Sequence, residues 1–411
     1  MKMMMHFVAL LSALALPALA TAADEVKGAL TLARVVELAS ASAPEVRLST
    51  TRIAEEEAKL AGAGFRTLEN PKLDLAAGPR NGTNSTVDVE AGFEIPFELG
   101  IRRENRIAVA RAGVQREKHA TGDVRRQSVA VAVGAYYRIL QAEERLRFAR
   151  DRKTMAEGFL RIAEERLLVG DVAKFEVNLA QTEVARAESD ISAAQGRVAL
   201  ARTALAKALG LSSGSGLQIA GDLKERSFFD SVRAVPATHE RDDLLAARTE
   251  VDASRAAISL AESERLPDLA FRVSYKREGS DNIALGGITV SLPFLNPRRG
   301  PIQEARVQNQ RAQIAAEVRQ AAISAEIEGA RSAYDAAVEA VRRLEADGLA
   351  LQQENESLAG ESYRAGKINL STLLQVRRDA LETRREYLER LLEAADAGVG
   401  LASANGKWST N

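Results

Sequence analysis

Few side chains in this 411-residue chain could carry out acid–base or metal chemistry. It contains three histidines and no cysteine, which excludes disulfides and thiolate metal sites. His119 and His239 lie in expected helices, away from any second ligand, so we interpret both as ordinary surface histidines. No Ser-His-Asp order, Walker loop or nucleotide-binding glycine pattern occurs. We therefore predict no enzyme activity, no cofactor and no metal site.

Charged residues two positions apart form the clearest chemical pattern. They alternate with apolar residues between Val87 and Ile95, and again between Leu269 and Tyr275, which is typical of strands with one apolar and one charged face. The residues expected on the charged face are Asp88, Glu90, Glu94, Arg272 and Lys276. Carboxylates without a nearby histidine make at best a weak site for a hard cation. We interpret this face as a solvated surface of mixed charge.

The elements that hold these strands occur twice. Three landmark pairs are each 196 residues apart, and a fourth, Pro96 with Pro293, is 197 apart. The three pairs are Pro71 with Pro267, Gly170 with Gly366, and Gly210 with Gly406. So constant a spacing indicates a tandem duplication.

The chain divides at these landmarks. An apolar run from Phe7 to Ala20, ending in small residues, predicts a secretory signal over residues 1–22. The first repeat is predicted over 23–210, with a helix, a strand hairpin at 72–97, a long helix at 102–168 and a helix at 172–209. A linker at 211–237 leads to the second repeat at 238–406, with a helix, a hairpin at 269–294, a long helix at 302–364 and a helix at 369–403. Residues 407–411 form a tail.

The helices are expected to be long, thin rods. The helix at 102–168 would be about 100 Å long, and aromatic residues are only 4% of the chain. Apolar residues recur at intervals of seven in the last helix of each repeat, which favours coiled-coil packing. These positions are Val177, Val184, Ile191, Val198 and Leu205, and then Leu373, Ala380, Tyr387, Ala394 and Leu401.

Four strands with a single apolar face cannot form the core of a water-soluble sandwich. A lipid-facing sheet fits better, because alternating strands of about 10 residues are what a membrane barrel requires. Open sheet edges in lipid would cost on the order of tens of kcal/mol, so we expect three copies to close a 12-stranded barrel. The charged-face residues Asp88, Glu90, Glu94, Arg272 and Lys276 would then line its lumen. After the signal segment no run of apolar residues is long enough for a spanning helix. The net charge of −1 is spread along the chain and offers no basic field for nucleic acid.

Several segments resemble the TolC-like outer-membrane efflux protein family over about residues 30 to 406. They are Leu266-Pro-Asp-Leu269, Ile95-Pro-Phe-Glu-Leu-Gly100, Leu292-Pro-Phe294, Tyr363 to Gln375, and Ala204 to Gly210. The resemblance implies a homotrimer whose outer-membrane β-barrel continues as a periplasmic α-helical barrel. It also implies a periplasmic adaptor as partner and an inner-membrane pump of the RND type. One branch of the family serves heavy-metal efflux. Glu98 to Arg103 and Phe294 to Gly300 resemble that branch, of the cobalt-zinc-cadmium type.

The resemblance also implies a periplasmic tip and a constriction. The tip, which would contact the adaptor, comprises Leu167, Leu168, Val169, Gly170 and Asp171, with Tyr363, Ala365, Gly366, Lys367 and Ile368. Plain helix-capping glycines are the alternative interpretation. Family members with an acidic constriction carry aspartates where this chain has Thr372 and Gln375. Among the matching positions only Glu176 could supply a charged ring, and a solvated helix carboxylate is its simpler interpretation.

Alternative functions remain open from the sequence. The favoured prediction is a passive exit duct for heavy-metal efflux; a duct for type I protein secretion or drug efflux fits the same residues. A periplasmic coiled-coil scaffold without a pore is a further alternative, but it has no use for exposed apolar strand faces. An adaptor of the membrane-fusion type would need a lipoyl domain and a β-barrel strand series, which the sequence lacks. Conductance in planar bilayers separates a duct from a scaffold.

Overall fold

The computed structural model describes residues 28–67, 69–80, 86–234, 240–292, 297–406 and 408. The expected signal segment, most of the first hairpin turn, His239 and the pair Pro293-Phe294 lie outside these ranges. Within the described residues, no helix is long and apolar enough to cross a membrane.

Helices make up most of the chain. They are α1 (Leu32–Ser42), α2 (Pro44–Ala63), α3 (Arg102–Leu168), α4 (Lys174–Leu209), α5 (Ser227–Ala234), α6 (Asp242–Ser263), α7 (Arg299–Arg343), α8 (Ala350–Arg364) and α9 (Leu370–Asn405). Pro44 begins α2 at its first turn, where a missing N–H costs nothing. Gly210 and Gly406 end α4 and α9 with φ of 73° and 68°, a left-handed conformation that glycine adopts without strain.

The sequence predicted one continuous α-helix at 302–364 in the second repeat, but the structure interrupts this helix. Leu344–Leu349 form a π-helical segment, here called the π segment, between α7 and α8. The predicted linker also differs from expectation, because it contains α5, in which Phe229 and Val232 are buried. Residues Leu30 and Ile219 form an isolated parallel bridge that ties the start of the described chain to this linker.

The four strands form one antiparallel sheet in the order β1-β2-β3-β4: β1 (Lys72–Arg80), β2 (Thr86–Phe97), β3 (Asp268–Glu278) and β4 (Asp281–Ser291). The expected turns at 78–85 and 278–282 are shorter than predicted, since β1 extends to Arg80 and only Gly279 and Ser280 separate β3 from β4. The central pair joins a strand of each repeat, Glu90 facing Lys276. β1 and β4 are left as open edges within the chain.

The main hydrophobic core lies where the helices of both repeats meet, at the middle of the rods. Tyr137, Phe229 and Tyr334 are almost fully buried there, with ring centroids 5.4 Å and 6.2 Å from Phe229. A second, smaller core lies near the glycine turns and includes Val177, Tyr363 and Leu373. The sheet has no comparable core, so what covers its apolar residues must lie outside the chain.

Candidate functional site

The sheet carries its apolar residues on the outside. Side chains of directly paired residues share a face, and the register places one apolar set on a single face of all four strands. Its members include Leu75, Val89, Phe93, Phe271, Val273, Tyr275, Ile288 and Val290, all of them exposed. Leu75 is 72% exposed and Ile288 is 69% exposed, so most of each side chain is uncovered in this chain. A contiguous apolar face of this kind marks contact with another apolar phase.

The opposite face is polar and linked by ion pairs. Arg80 Nε lies 3.1 Å from Asp88 Oδ2, and Arg80 Nη2 lies 3.1 Å from Glu278 Oε2. Lys276 also pairs with Glu278. These bonds cross from β1 to β3, so the polar groups brace the sheet near its hairpin end.

The register brings all five predicted lining residues to this polar face. Glu90 faces Lys276 and Glu94 faces Arg272 across the central pair. The register adds further ionisable residues: Lys72, Asp74, Arg80, Asp268, Glu278 and Asp281. Among the described strand residues the polar face therefore holds seven carboxylates and four cations, an excess of three carboxylates per chain. On the apolar face of the four described strands, the only ionisable group besides Tyr275 is Arg277, next to the β3–β4 turn.

Arginines at the start of α3 fix the sheet to the helices. Arg103 Nη2 donates to the Gly64 carbonyl at 2.7 Å, and Arg106 Nη2 donates to the Phe65 carbonyl at 2.9 Å. Arg102 Nη2 donates to the Leu266 carbonyl at 2.8 Å. These carbonyls belong to residues that lie just after α2 and α6, so the guanidinium groups tie α3 to the segments that lead into β1 and β3. Sequence reasoning noted Glu98 to Arg103 only as a family signal and missed this role.

At the other end of the rods, two glycine turns form the tip. Gly170 and Gly366 have φ of 75° and 69°, and each follows the last turn of its helix. Arg166 Nε donates to Asp171 Oδ2 at 2.7 Å and closes the first turn. Leu168 and Val169 are 88% and 79% exposed. The other predicted tip residues are also at least partly accessible, namely Leu167, Gly170, Asp171, Ala365, Gly366, Lys367 and Ile368.

Tyr363 is the exception among the predicted contact residues, and the structure corrects its assignment. It is fully buried, with its ring 6.2 Å from that of Phe159 and the Arg166 guanidinium 5.1 Å from its centroid. Burial raises the pKa of Tyr363, and the nearby Glu176 raises it further. Tyr363 therefore packs the tip from inside and is not available to a partner in this conformation.

The three possible constriction residues, Glu176 on α4 and Thr372 and Gln375 on α9, differ in their surroundings. Thr372 is exposed in the first turn of α9, where Asn369 caps the helix: its Oδ1 accepts from the backbone N–H and the hydroxyl of Thr372, both at 2.9 Å. Gln375 is exposed. Glu176 is half-buried, and its Oε2 is shielded from solvent without a hydrogen bond. This differs from the solvated carboxylate expected from the sequence.

The histidine expectation also needs a correction. His119 Nδ1 lies 3.3 Å from Asp242 Oδ1, so it has an acidic neighbour that sequence distance had hidden. Asp242 belongs to α6, 123 residues away. In the part of the chain that the structure describes, no three His, Cys, Asp or Glu side chains cluster closely enough to hold a metal ion.

The comparisons with known proteins agree with this geometry. The chain is 25% identical over 368 residues to the cobalt-zinc-cadmium resistance protein CzcC of Cupriavidus metallidurans, covering 89% of this chain and 87% of that protein. It is similar in structure to CusC, with a TM-score of 0.76, 18% identity and 92% of both chains covered. It is also similar to the open-state MtrE outer membrane channel of Neisseria gonorrhoeae, with a TM-score of 0.75, 16% identity, and 92% of this chain and 89% of that chain covered.

The match to a family model decides the assignment. The model described as outer membrane efflux protein covers residues 16–211 and 236–407, which is most of both repeats. The two-faced sheet, the long helices and the solved channels of the same fold are consistent with that match. The chain belongs to the outer membrane efflux protein family, and it is an outer-membrane channel whose helices extend into the periplasm.

Proposed function

We propose that this channel is the passive exit duct of a tripartite system that exports heavy-metal cations. Three copies close the barrel through the open edges of β1 and β4. The exposed tip residues contact a periplasmic adaptor, and an inner-membrane pump of the RND type supplies the energy. The similarity to a cobalt-zinc-cadmium resistance protein supports the choice of cargo.

The observation that carries the proposal is the opposite character of the two sheet faces. An outward apolar face suits lipid, and an inward polar face suits an aqueous path. The inward face has three more carboxylates than cations in each chain. Glu90 and Glu94 make no ion pair within 4.0 Å among the described residues, although they lie opposite Lys276 and Arg272. Fixed negative charge in a narrow aqueous passage favours cations.

Conductance in planar bilayers tests the duct and its selectivity. Purified wild-type protein should conduct and should prefer cations, as read from the reversal potential in a salt gradient. The double variant Glu90→Gln with Glu94→Gln removes two lumen charges per chain and should lower the cation-to-anion permeability ratio several-fold. Glu45→Gln, an exposed change on α2, should leave the ratio unchanged. A scaffold would show no conductance, and an anion-selective wild type would contradict the metal-cation proposal.

A matched pair of arginine substitutions tests which face meets lipid. Val290→Arg places a charge on the apolar face, which costs about 2 to 4 kcal/mol near the bilayer midplane, and should impair insertion of the trimer. Ser274→Arg lies on the polar face, opposite Leu285 and Gly92, and should be tolerated. Heat-modifiable migration in detergent gels measures insertion. Equal damage from both variants would refute the assignment of the faces.

Metal resistance tests the cargo. In a strain without its own duct, expression of the complete system should raise tolerance to cobalt, zinc or cadmium, and omission of this channel should abolish the gain. Loss of drug tolerance or of protein secretion, with metal tolerance unchanged, would favour one of the alternative cargoes.

A further inference from the structure

Arg277 departs from the pattern of the lipid-facing side of the sheet. It is exposed on the apolar face, where its directly paired neighbours are Val89 of β2 and Asn282 of β4. The residue 196 positions earlier is Asn81, so the first repeat carries no charge at the matching place. A cation that faced hydrocarbon would destabilise the inserted barrel, and this cost falls towards the membrane surface. The depth of Arg277 therefore decides what it can contact.

Arg277 lies at the end of the sheet that is remote from the helices. Beyond it only Gly279 and Ser280 separate β3 from β4. Since the helices extend into the periplasm, this hairpin end faces the cell exterior. Leu269, the first apolar residue of β3, is eight positions away, which is about 27 Å along a strand and about 20 Å across a membrane at the usual strand tilt. The apolar band of such barrels is about 25 Å tall, so Arg277 lies near its outer boundary.

The charge of Arg277 is not neutralised within the chain. Glu278, the next residue, belongs to the polar face and pairs there with Arg80 and Lys276. Among the residues that the structure describes, Arg277 has no carboxylate within 4.0 Å and its side chain forms no hydrogen bond. Its guanidinium is therefore open to an anion from outside the chain.

Asn282 places a second donor at the same point. It is exposed, and its Oδ1 accepts from the Tyr275 hydroxyl at 2.6 Å, which leaves the amide Nδ2 to donate elsewhere. Tyrosines at a membrane surface lie with the ring at the headgroup level, so Tyr275 marks the same boundary as Arg277. The guanidinium and the amide of this directly paired couple offer N–H groups and no remaining side-chain acceptor.

We propose that Arg277 and Asn282 bind the phosphate of a lipid in the outer leaflet of the membrane. A guanidinium matches a phosphate with two parallel N–H bonds, and the amide of Asn282 adds a third donor. The acyl chains of the same lipid lie along the apolar face below, next to Val89 and Tyr275. A free phosphate ion would gain the hydrogen bonds but none of this apolar contact, so the surface selects phosphate that is carried by a lipid. The inference goes beyond the proposed function, because it holds for any cargo.

Native mass spectrometry of the purified channel tests the proposal, with the phosphorylated glycolipid lipid A as the probe. Wild-type protein should retain about one lipid A per chain, and should retain the dephosphorylated lipid about tenfold less. Arg277→Gln should lower the retention of lipid A at least fivefold. Lys276→Gln removes a neighbouring charge from the opposite face and should leave retention within twofold. An excess of inorganic phosphate should not displace the lipid.

Four results would overturn the inference. If the wild type retains no lipid A, or retains both lipids equally, phosphate is not recognised, and this comparison needs no variant to assemble. Unchanged retention by Arg277→Gln, in protein with the heat-modifiable migration of the wild type, would mean that Arg277 only reaches water. An equal loss with Lys276→Gln would mean that net charge attracts the lipid. Displacement by inorganic phosphate would make the ligand a free ion.

Discussion

Each repeat contains a pair of helices joined by a glycine turn: α3 with α4 in the first repeat, and α7–α8 with α9 in the second. The two pairs have nearly the same length and the same turns but pack differently. In the first repeat, buried alanines recur every seven residues along both helices: Ala142, Ala149, Ala156 and Ala163 on α3, and Ala180, Ala187 and Ala194 on α4. The residues 196 positions later are Val338, Glu345, Gln352 and Ala359, and Val376, Thr383 and Arg390. Small side chains let helix axes approach closely along a seam. At the same places the second pair carries larger or polar residues, except at Ala359.

The consequence is visible in α7 and α8. None of the residues 342–358, all of which the structure describes, is buried, and the π segment lies within this stretch. In contrast, α3 continues without interruption to Leu168. A π segment in a long helix commonly marks a functional site, and stretches with few buried contacts open most easily. We infer that the first helix pair is rigid and that the second is more flexible.

The largest effect is expected outside these pairs, in a buried ion-pair network at the start of α6. Arg241, 1% exposed, precedes α6 and pairs with Asp243 and with Glu326, both at 2.7 Å. Removing one partner of a buried ion pair typically costs about 3 to 5 kcal/mol, so Asp243→Asn should destabilise the protein by about 3 kcal/mol. Thermal unfolding in detergent, followed by circular dichroism, measures the effect. The control, Glu45→Gln near the start of α2, should have almost none.

The same ion pairs predict a pH dependence. Burial alone would raise the pKa of Asp243, but hydrogen bonds and charge from Arg241 and Arg319 outweigh it and lower the pKa. A carboxyl with a lowered pKa stabilises the fold above its unfolded value of about 3.9 and loses that contribution as pH falls through the folded value. As the pH is lowered below about 4, the thermal unfolding midpoint of the wild type should therefore fall more steeply than that of Asp243→Asn. Parallel curves would show that another group controls the acid transition.

The next largest loss of stability is expected at the row of buried alanines between α3 and α4. Ala187 is fully buried between α3 and α4, and overpacking a tight site costs about 1 to 3 kcal/mol. Ala187→Leu should therefore lower the unfolding midpoint. Its counterpart Thr383 is half-buried and faces Gly348, with 3.8 Å between its Cγ2 and a Cβ built there. Thr383→Leu should lower the free energy of unfolding much less than Ala187→Leu. Equal losses would mean that the two helix pairs are packed alike.

Sequence alone predicted the sheet better than the helices. Alternation with period two determines which strand residues share a face, so the polar and apolar faces could be predicted without knowing the partner strand. Of the heptad positions predicted on α4, Val177, Val198 and Leu205 are buried, and Val184 and Ile191 are half-buried. The buried row of alanines on α3 and α4 was not predicted. Alanine is common on every helix face, so its spacing carries little signal. The π segment has no sequence signature beyond Gly348, which an α-helix also tolerates.

The tip shows a similar limit. The glycine turns were predicted because a left-handed residue at a helix end favours glycine. Sequence could not tell that Tyr363 points inward while Leu168 points out, since this depends on how four helices converge. The contacts of Arg102, Arg103 and Arg106 with helix ends far away in the chain were hidden for the same reason.

A smaller effect tests how the π segment is held. Tyr387 of α9, nearly fully buried, donates from its hydroxyl to Glu345 Oε1 at 2.7 Å. Tyr387→Phe removes this bond but leaves the exposed carboxylate to water, so the loss should be about 1 kcal/mol. Amide hydrogen exchange should quicken at 344–349 and stay unchanged along α3. Unchanged exchange in the π segment would mean that this bond does not restrain it.

The smallest expected effect is that of Gly348→Ala. It shows whether the protein only tolerates the π segment or requires it. A methyl on Gly348 would meet Leu344 Cδ2 at 3.4 Å and Thr383 Cγ2 at 3.8 Å, both ordinary contacts. Gly348→Ala should therefore stabilise the protein by about 0.5 kcal/mol through the unfolded chain, and slow exchange at 344–349. Gly329→Ala, at an open position of α7, should stabilise to a similar extent without altering exchange in the π segment. Destabilisation by Gly348→Ala alone would mean that this segment needs the freedom of glycine, and that its conformation is fixed by packing against α9 rather than loosely held.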